Sequence, residues 1–151
     1  AILFAVAGAE HAYFGQKDAQ QVAVVTRMAL DLGLSTQVIP CPIVREADGL
    51  ALSSRNVRLS TEERAAAPIL RRALDAAGSA YDEGEREADV LRALMEEVLA
   101  IEPLAQVEYV SVADPLTLRE VQRIEGPALL SMAVLFGTTR LIDNELVGMK
   151  E

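Results

Sequence analysis

The first forty residues alternate between short apolar runs and one amphipathic stretch. Residues 12–14 and 36–39 are compact runs of aromatic, apolar and β-branched side chains, which predict two short strands. Between them, residues 17–32 have apolar positions at helical spacing and predict a helix that ends at Gly33. The order strand–loop–helix–strand predicts a βαβ-like unit with a parallel sheet. The apolar positions on the face of this helix are Val22, Val25, Ala29 and Leu32.

The middle of the chain changes to longer helical patterns. Residues 60–63 read Ser-Thr-Glu-Glu, a capping box that predicts a helix start at Ser60. Pro68 is expected to kink or divide the early part of this helix. A second helix is predicted over residues 86–101 and is stopped by Pro103. The expected buried positions are Leu70, Ala73, Leu74, Ala77 and Tyr81 on the first helix, and Val90, Leu91, Leu94, Met95 and Val98 on the second.

Three strand-like runs close the chain, at residues 106–112, 128–136 and 140–147. The last two flank Gly137-Thr138-Thr139, which predicts a hairpin turn. Helices followed by antiparallel strands predict an α+β unit with two helices and a three-stranded sheet. We therefore expect an α/β chain with a boundary near Pro42, dividing it into residues 1–42 and 43–151.

Net charge and composition limit the classes of binding partner and the cellular setting that can be expected. The formal net charge of −9 argues against a nucleic-acid partner, whose backbone needs clustered Lys and Arg. A hydrophobic content of 51% with 25% charged residues is that of a folded globular protein. Cys41 is the single cysteine, so a reducing cytoplasm is the expected setting. The apolar start at residues 1–9 is too short to span a membrane and predicts a buried helix or strand, which suggests a cut through a larger domain.

Two polar, glycine-marked segments carry the candidate chemistry. In the first, Gly15-Gln16-Lys17-Asp18 lies where a strand should pass into a helix, and such junctions favour anions. Lys17 then suits a phosphate, and the Asp18 carboxylate suits ribose hydroxyls. Gln21 shares a helix face with Asp18 and can orient a small polar substrate. The alternative is that Asp18 only caps the helix while Lys17 is solvated.

The second segment runs from Arg45 to Asn56. Ser53, Ser54 and Arg55 bring two hydroxyls, successive amides and a guanidinium to one place, which suits a polyphosphate. The alternative is a serine-rich cap for a short helical turn. Arg45, Glu46 and Asp48 are either part of a solvated loop or a salt-bridge cluster that holds the loop in place, and the structural role is favoured.

Three sequence motifs resemble those of the pantoate–β-alanine ligases. They are FGQKDAQQ at residues 14–21, PIVREADGLALSSRN at residues 42–56 and GTTRLIDN at residues 137–144. The resemblance runs in register from about Tyr13 to Leu146. It implies the C-terminal piece of a Rossmann-like nucleotide-binding domain, followed by a smaller C-terminal domain that begins with a phosphate loop.

The resemblance also implies a reaction and a set of site residues. The family joins pantoate to β-alanine with ATP and Mg²⁺ through a pantoyl-adenylate intermediate, without a tightly bound organic cofactor. Gln21 would bind pantoate, and Lys17, Ser53, Ser54 and Arg55 would be catalytic. No metal ligand, membrane partner or nucleic-acid partner is expected from this chain, and a homodimer is expected for the full-length enzyme. The implied ATP contacts are Gly15, Gln16, Lys17, Asp18, Val44 (through its backbone), Leu52, Ser53, Ser54 and Arg55.

The sequence also departs from the family. The histidine-bearing N-terminal half of the family is absent, and with it the acidic positions expected to assist Mg²⁺. His11 is predicted to lie in a loop as an inert, exposed imidazole, and Cys41 as a buried small hydrophobe. Two classes of function stay open: part of a ligase that needs the missing N-terminal segment, or a noncatalytic module that binds nucleotide or self-associates. The chain alone is predicted to make no pantothenate.

Overall fold

A parallel strand pair and a helix form the first part of the molecule. The computed structural model describes residues 1–149. Strand β1 (His11–Gly15) pairs in parallel with β2 (Gln37–Cys41), from His11 opposite Gln37 to Gly15 opposite Cys41, and α2 (Ala19–Asp31) joins them. The predicted βαβ unit is confirmed. Because the strands are parallel, the chain leaves both at the same edge, where ligands bind in open α/β sheets.

Local contacts explain where α2 begins and ends. The Asp18 carboxylate accepts a hydrogen bond from the Gln21 amide and caps the helix. Gly33 follows the helix with φ +62°, a left-handed conformation that glycine adopts without strain. Val22 and Ala29 are buried as predicted, but Leu32 is 57% exposed because it lies in the turn that leaves the helix.

Three α-helices lie between the two sheets along the chain. A 3₁₀ turn at Asn56–Arg58 leads to α3 (Thr61–Ala66), α4 (Ile69–Asp82) and α5 (Ala88–Ala100). The Ser60 capping box is present, with Ser60 and Glu63 each bonding the other's backbone amide. Pro68 divides the first predicted helix into α3 and α4, since proline has no amide to continue the ladder. The expectation of two helices is therefore corrected to three.

The second sheet is antiparallel and has the order β3–β4–β5. Its strands are β3 (Ala105–Ala113), β4 (Ala128–Phe136) and β5 (Thr139–Val147), and Gly137 makes the β4–β5 turn with φ +55°. The even-numbered residues of β4 join α4 and α5 in one core. Val90 on α5 was expected in this core but is 42% exposed, whereas its neighbour Leu91 is fully buried. The helical residues of the core are Ala66, Ile69, Leu70, Ala73, Leu74, Ala77, Ala88, Leu91, Met95 and Leu99.

Strand β5 places buried polar residues on both faces of this sheet. Successive side chains of a strand point to opposite faces. Glu145 of β5 therefore faces the helices, where it meets Arg71 of α4. Asn144 lies on the other face, directly opposite Ser131 of β4, and both side chains are buried.

The N-terminal helix is an exception to the burial pattern. Helix α1 (Ile2–Ala7) forms, but five of its six residues are exposed, and Ile2 and Val6 are 82% and 81% exposed. The predicted burial is wrong, because the packing of α1 is limited to contacts such as that of half-buried Phe4 with Phe14, whose ring centroids are 6.2 Å apart. Within residues 1–149, no helix combines the length and the apolar character needed to cross a bilayer.

Candidate functional site

The first loop, Gly15–Asp18, is held at both ends by backbone hydrogen bonds. At its start, the Gln16 amide donates to the Cys41 carbonyl over 2.8 Å and extends the parallel pairing by one residue. At its end, Asp18 Oδ1 accepts from the Gln21 amide over 3.0 Å. The capping role that the sequence left open for Asp18 is therefore present, and it occupies one of the two carboxylate oxygens.

Lys17 is directed at the second sheet. Its Nζ donates to the Ile142 carbonyl on β5 over 2.9 Å, and the side chain is half-buried. Burial lowers the pKa of Lys17, Asp143 opposes that effect, and the positive charge of Arg55 lowers the pKa further. A partly desolvated ammonium whose partner is a neutral carbonyl gains more binding free energy from an anion than a fully solvated ammonium does.

The second loop, Leu52–Arg55, follows a short hairpin. Arg45 and Ala51 form an isolated antiparallel bridge, and the Leu52 amide donates to the Val44 carbonyl over 2.9 Å. Ser53 Oγ accepts from the Arg55 amide over 3.2 Å, just before the 3₁₀ turn that starts at Asn56. The Ser53 hydroxyl therefore orders the backbone just before the turn. The serine cap left open as the alternative does not form, because the N-cap of the turn is Arg55 and has no side-chain capping hydrogen bond.

Arg55 reaches the same strand as Lys17. Its Nη1 donates to the Arg140 carbonyl over 3.3 Å, and its side chain is exposed. Arg140 and Ile142 are two residues apart on β5, an edge strand, so their carbonyls point to the same side of the strand. The two cations predicted to bind phosphate, Lys17 and Arg55, are thus brought together along one edge of β5.

A buried ion pair fixes the hairpin that carries the second loop. Arg45 donates to both carboxylate oxygens of Asp143, over 2.6 and 2.9 Å, and to the Gly49 carbonyl over 3.0 Å. Asp143 is only 2% exposed. On the outer side of the hairpin, Arg64 pairs with Glu46 and Asp48 and lowers the pKa of both carboxyls. Arg45, Glu46 and Asp48 therefore all form salt bridges, as expected, but not with one another: Arg45 pairs with Asp143, and the two carboxylates pair with Arg64.

Asn144 fixes the first loop from the other side of β5. Its Nδ2 donates to the carbonyls of Gln16 and Lys17, over 3.0 and 2.9 Å. Sequence reasoning assigned no role to Asp143 or Asn144. The available signal was the presence of two adjacent polar residues inside an otherwise apolar strand pattern.

Lys17, Asp18, Asp143 and Asn144 border a small cleft of about 90 Å³ between the start of α2 and the second sheet. The residues of the second loop do not line it. A larger cleft of about 350 Å³ lies between α4 and the end of β5, and the residues predicted from the sequence to form the site do not line it. The smaller cleft is therefore the one associated with the candidate chemistry. It is lined by Lys17, Asp18, Ala19, Gln20, Tyr109, Leu129, Ser131, Arg140, Ile142, Asp143 and Asn144.

The remaining predicted residues take varied positions. Gln21, Leu52 and Ser54 are exposed, as is Val44 at 65%. His11 is exposed as predicted, but it begins β1 and does not lie in a loop. Cys41 ends β2 and is only partly buried, because Pro40 and Pro42 beside it lie at the surface.

A parallel βαβ unit with a cation in the loop after its first strand is typical of nucleotide-binding α/β proteins. The model of the pantoate-beta-alanine ligase family matches residues 1–146, and the chain belongs to this family. It is 59% identical over 146 residues to a pantothenate synthetase of Chloroflexus aurantiacus, covering 96% of this chain and 52% of that protein. A pantothenate synthetase of a Roseiflexus species is 56% identical over 142 residues, covering 94% and 51%. The chain thus spans about half the length of these relatives.

Solved structures show the same fold. A pantothenate synthetase from Thermus thermophilus matches with a TM-score of 0.90 and 42% identity, over 95% of this chain and 52% of that one. A pantoate-beta-alanine ligase from Francisella tularensis, complexed with beta-gamma ATP and beta-alanine, matches with a TM-score of 0.64 and 25% identity, over 98% and 48%. The α/β fold predicted from the sequence is confirmed.

Proposed function

We propose that this chain carries the C-terminal half of an active site that condenses pantoate with β-alanine at the expense of ATP. The observation that carries the proposal is the meeting of Lys17 and Arg55 at the carbonyls of Ile142 and Arg140. Family membership supports the choice of substrates, as does the Francisella ligase complexed with beta-gamma ATP and beta-alanine. The proposed boundary between the two domains stays near Pro42, between β2 and the Val44–Leu52 hairpin.

ATP would enter between the first and second loops. Lys17 and Arg55 exchange their carbonyl partners for phosphate oxygens, which bind cations more strongly because they are charged. Gly15, Gln16, Leu52, Ser53 and Ser54 line the nucleotide, and the two serines add hydroxyl and amide donors. Asp18 caps α2 with Oδ1, so its Oδ2 is the oxygen assigned to the ribose hydroxyls.

The remaining contacts place the base and the second substrate. We assign the adenine contact to the backbone of Val44, an exposed residue whose carbonyl already accepts from the Leu52 amide. Gln21 lies on the first turn of α2, where its exposed amide orients pantoate beside the nucleotide.

The chemistry proposed for these residues is positioning and charge stabilisation. The pantoate carboxylate attacks the α-phosphorus, and pyrophosphate leaves to give pantoyl-adenylate. The β-alanine amine then attacks the acyl carbon and releases AMP. Lys17 and Arg55 stabilise the negative charge that develops on the phosphate oxygens in the first step.

Mg²⁺ would accompany ATP, as the family resemblance implies. Across residues 1–149, no group of three His, Cys, Asp or Glu side chains is placed to hold a metal ion. Asp143, a buried carboxylate that borders the cleft, is engaged by Arg45. No step is therefore assigned to a metal.

The test is AMP release that depends on ATP, pantoate and β-alanine, measured with and without the histidine-bearing segment of the family. We expect release only with the added segment. In that complex, Lys17→Met and Arg55→Met are each expected to lower kcat by about 10²–10³, the typical loss of one preorganised donor. Arg27→Met, at an exposed position on α2, is the control and is expected to keep the wild-type rate.

Three results would contradict the proposal. AMP release by the chain alone would show that the missing half is not needed. Tight ATP binding without AMP release, even with the added segment, would support the noncatalytic nucleotide-binding module instead. Association of the chain with itself and no ATP binding would support a self-association module.

A further inference from the structure

Asn144 makes an unusual long-range connection. It is 3% exposed, and its Nδ2 donates to two successive carbonyls, those of Gln16 and Lys17. The contacts join β5 to a loop 127 and 128 residues earlier in the sequence. Both hydrogens of the amide are therefore used to fix one short piece of backbone.

The same side chain is costly to bury. Among the residues that the structure describes, nothing donates to Asn144 Oδ1, although the atom is buried. An unpaired buried acceptor lowers stability, so the amide is not the best choice for packing alone. What this side chain supplies is the pair of donors that hold the first loop.

The hydrogen bonds from Asn144 to the Gln16 and Lys17 carbonyls determine the position of Lys17. The peptide planes on both sides of the Lys17 Cα are fixed by Asn144, and the Lys17 ammonium lies on Ile142, two residues before Asn144 on the same strand. The Arg55 guanidinium donates to the Arg140 carbonyl, which lies two residues before Ile142 on β5. The strand therefore sets the spacing between the two cations.

We propose that Asn144 is a positioning residue for Lys17: by holding the carbonyls of Gln16 and Lys17, it places the Lys17 ammonium beside Arg55 for binding to phosphate. This inference rests on the proposed function, in which Lys17 and Arg55 bind the phosphates of one ATP. Asn144 acts through Lys17 and does not itself touch the nucleotide.

Two variants and a matched control isolate this role. Asn144→Ala removes both donors, and Asn144→Asp keeps the shape but faces the two carbonyls with an acceptor. Val112→Ala, in the core on β3, removes a similar amount of buried side chain without changing the loop. The control separates an effect on Lys17 from a general loss of stability.

The first readout is the Lys17 side chain itself. The sequence has two lysines, Lys17 and Lys150, so the Lys17 signal in a ¹³C-lysine NMR titration is assigned by its absence in Lys17→Arg. In wild type, burial lowers the pKa of Lys17 below 10.5. The charged neighbours of the ammonium are Asp143, Arg55, Asp18 and Arg45. Asn144→Ala is expected to move the pKa of Lys17 toward 10.5, whereas Val112→Ala leaves it unchanged.

The second readout is ATP affinity in a double-mutant cycle with Lys17→Met. Asn144→Ala is expected to weaken ATP binding about tenfold in the wild-type background and to have little effect when Lys17 is already replaced, because residues that act through one another are not additive. If Lys17→Met leaves ATP affinity unchanged, the proposed function fails, while the Lys17 signal still tests the placement by Asn144.

Three results would overturn the positioning role. One is an unchanged Lys17 titration in a folded Asn144→Ala. Another is a loss of ATP affinity in Asn144→Ala that persists in the Lys17→Met background. The third applies if neither variant folds, and it is measured on the wild-type protein as hydrogen exchange of the Asn144 side-chain amide. Slow exchange supports the two contacts, and exchange as fast as in a free amide contradicts them.

Discussion

At the scale of single residues, Asp143 and Asn144 each hold one of the two candidate loops. They are adjacent on β5 and their side chains lie on opposite faces, yet both are buried. Asp143 holds the hairpin of the second loop through Arg45, and Asn144 holds the first loop. Two neighbouring polar residues thus connect both candidate loops to one strand.

The Arg45–Asp143 pair is predicted to contribute strongly to the stability of the fold. Arg45→Met leaves a carboxylate that is 2% exposed without its counter-ion, and breaking a buried pair in this way costs about 3–5 kcal/mol of unfolding free energy. Arg27→Met breaks the exposed Arg27–Asp31 pair and is expected to cost about 0.5 kcal/mol or less. Urea unfolding at neutral pH compares the two. A similar small loss in both variants would show that the buried pair is not a structural anchor.

Glu145 is predicted to make stability depend on pH. Burial raises the pKa of this half-buried carboxyl, and Arg71, with Nη1 3.0 Å from Oε2, only partly offsets the cost. The folded state therefore takes up a proton before the unfolded chain does as the pH falls. The contribution of Glu145 to stability is lowest above its folded pKa and rises as the pH drops through that value toward 4.5.

Glu145→Gln separates this carboxyl from the other titrating groups. The neutral amide is expected to raise the urea midpoint at neutral pH, and the advantage over wild type is expected to shrink as the pH approaches 4.5. A variant that is less stable than wild type at neutral pH, with a gap that grows toward acid, would contradict the assignment.

At the scale of elements, local sequence signals determine most boundaries. The βαβ unit, the Ser60 capping box, the break at Pro68 and the Gly137 turn were all predictable, because each depends on the chemistry of a few adjacent residues. The environment of each element was less predictable. Helix α1 has the apolar composition of a buried segment but is exposed, and Val90 is exposed beside buried Leu91. Burial depends on what packs against an element, which periodicity alone does not specify.

The capping box provides a prediction for an element. Ser60→Ala removes the acceptor of the Glu63 amide at the start of α3 and is expected to cost about 1 kcal/mol of unfolding free energy. Ser79→Ala, at an exposed position inside α4, is the control and is expected to be neutral or slightly stabilising because alanine has the higher helix propensity. Equal effects of the two substitutions in thermal unfolding would show that the cap contributes nothing.

At the scale of the whole molecule, the candidate site is made of segments that are far apart in sequence. The chemistry of Lys17 and Arg55 was predicted from their local motifs, because cations and hydroxyls beside glycine indicate phosphate binding. Their convergence on one nucleotide was expected only from the family resemblance, and β5 as the place where they meet was not predicted, since it depends on the packing of the second sheet against the first loop. The roles of Asp143 and Asn144 share this origin. The sequence shows two polar residues in a strand, and only the fold shows what they hold.

The proposed function requires both loops to bind the same ATP molecule, and amide NMR shifts recorded while ATP and Mg²⁺ are titrated into the chain distinguish one shared site from two. We expect the amides of Lys17 and Asp18 and those of Ser53, Ser54 and Arg55 to shift together with a single dissociation constant. We also expect Lys17→Met to weaken the response of both loops. Shifts confined to one loop, separate dissociation constants for the two, or no response of either at millimolar ATP would contradict a shared site.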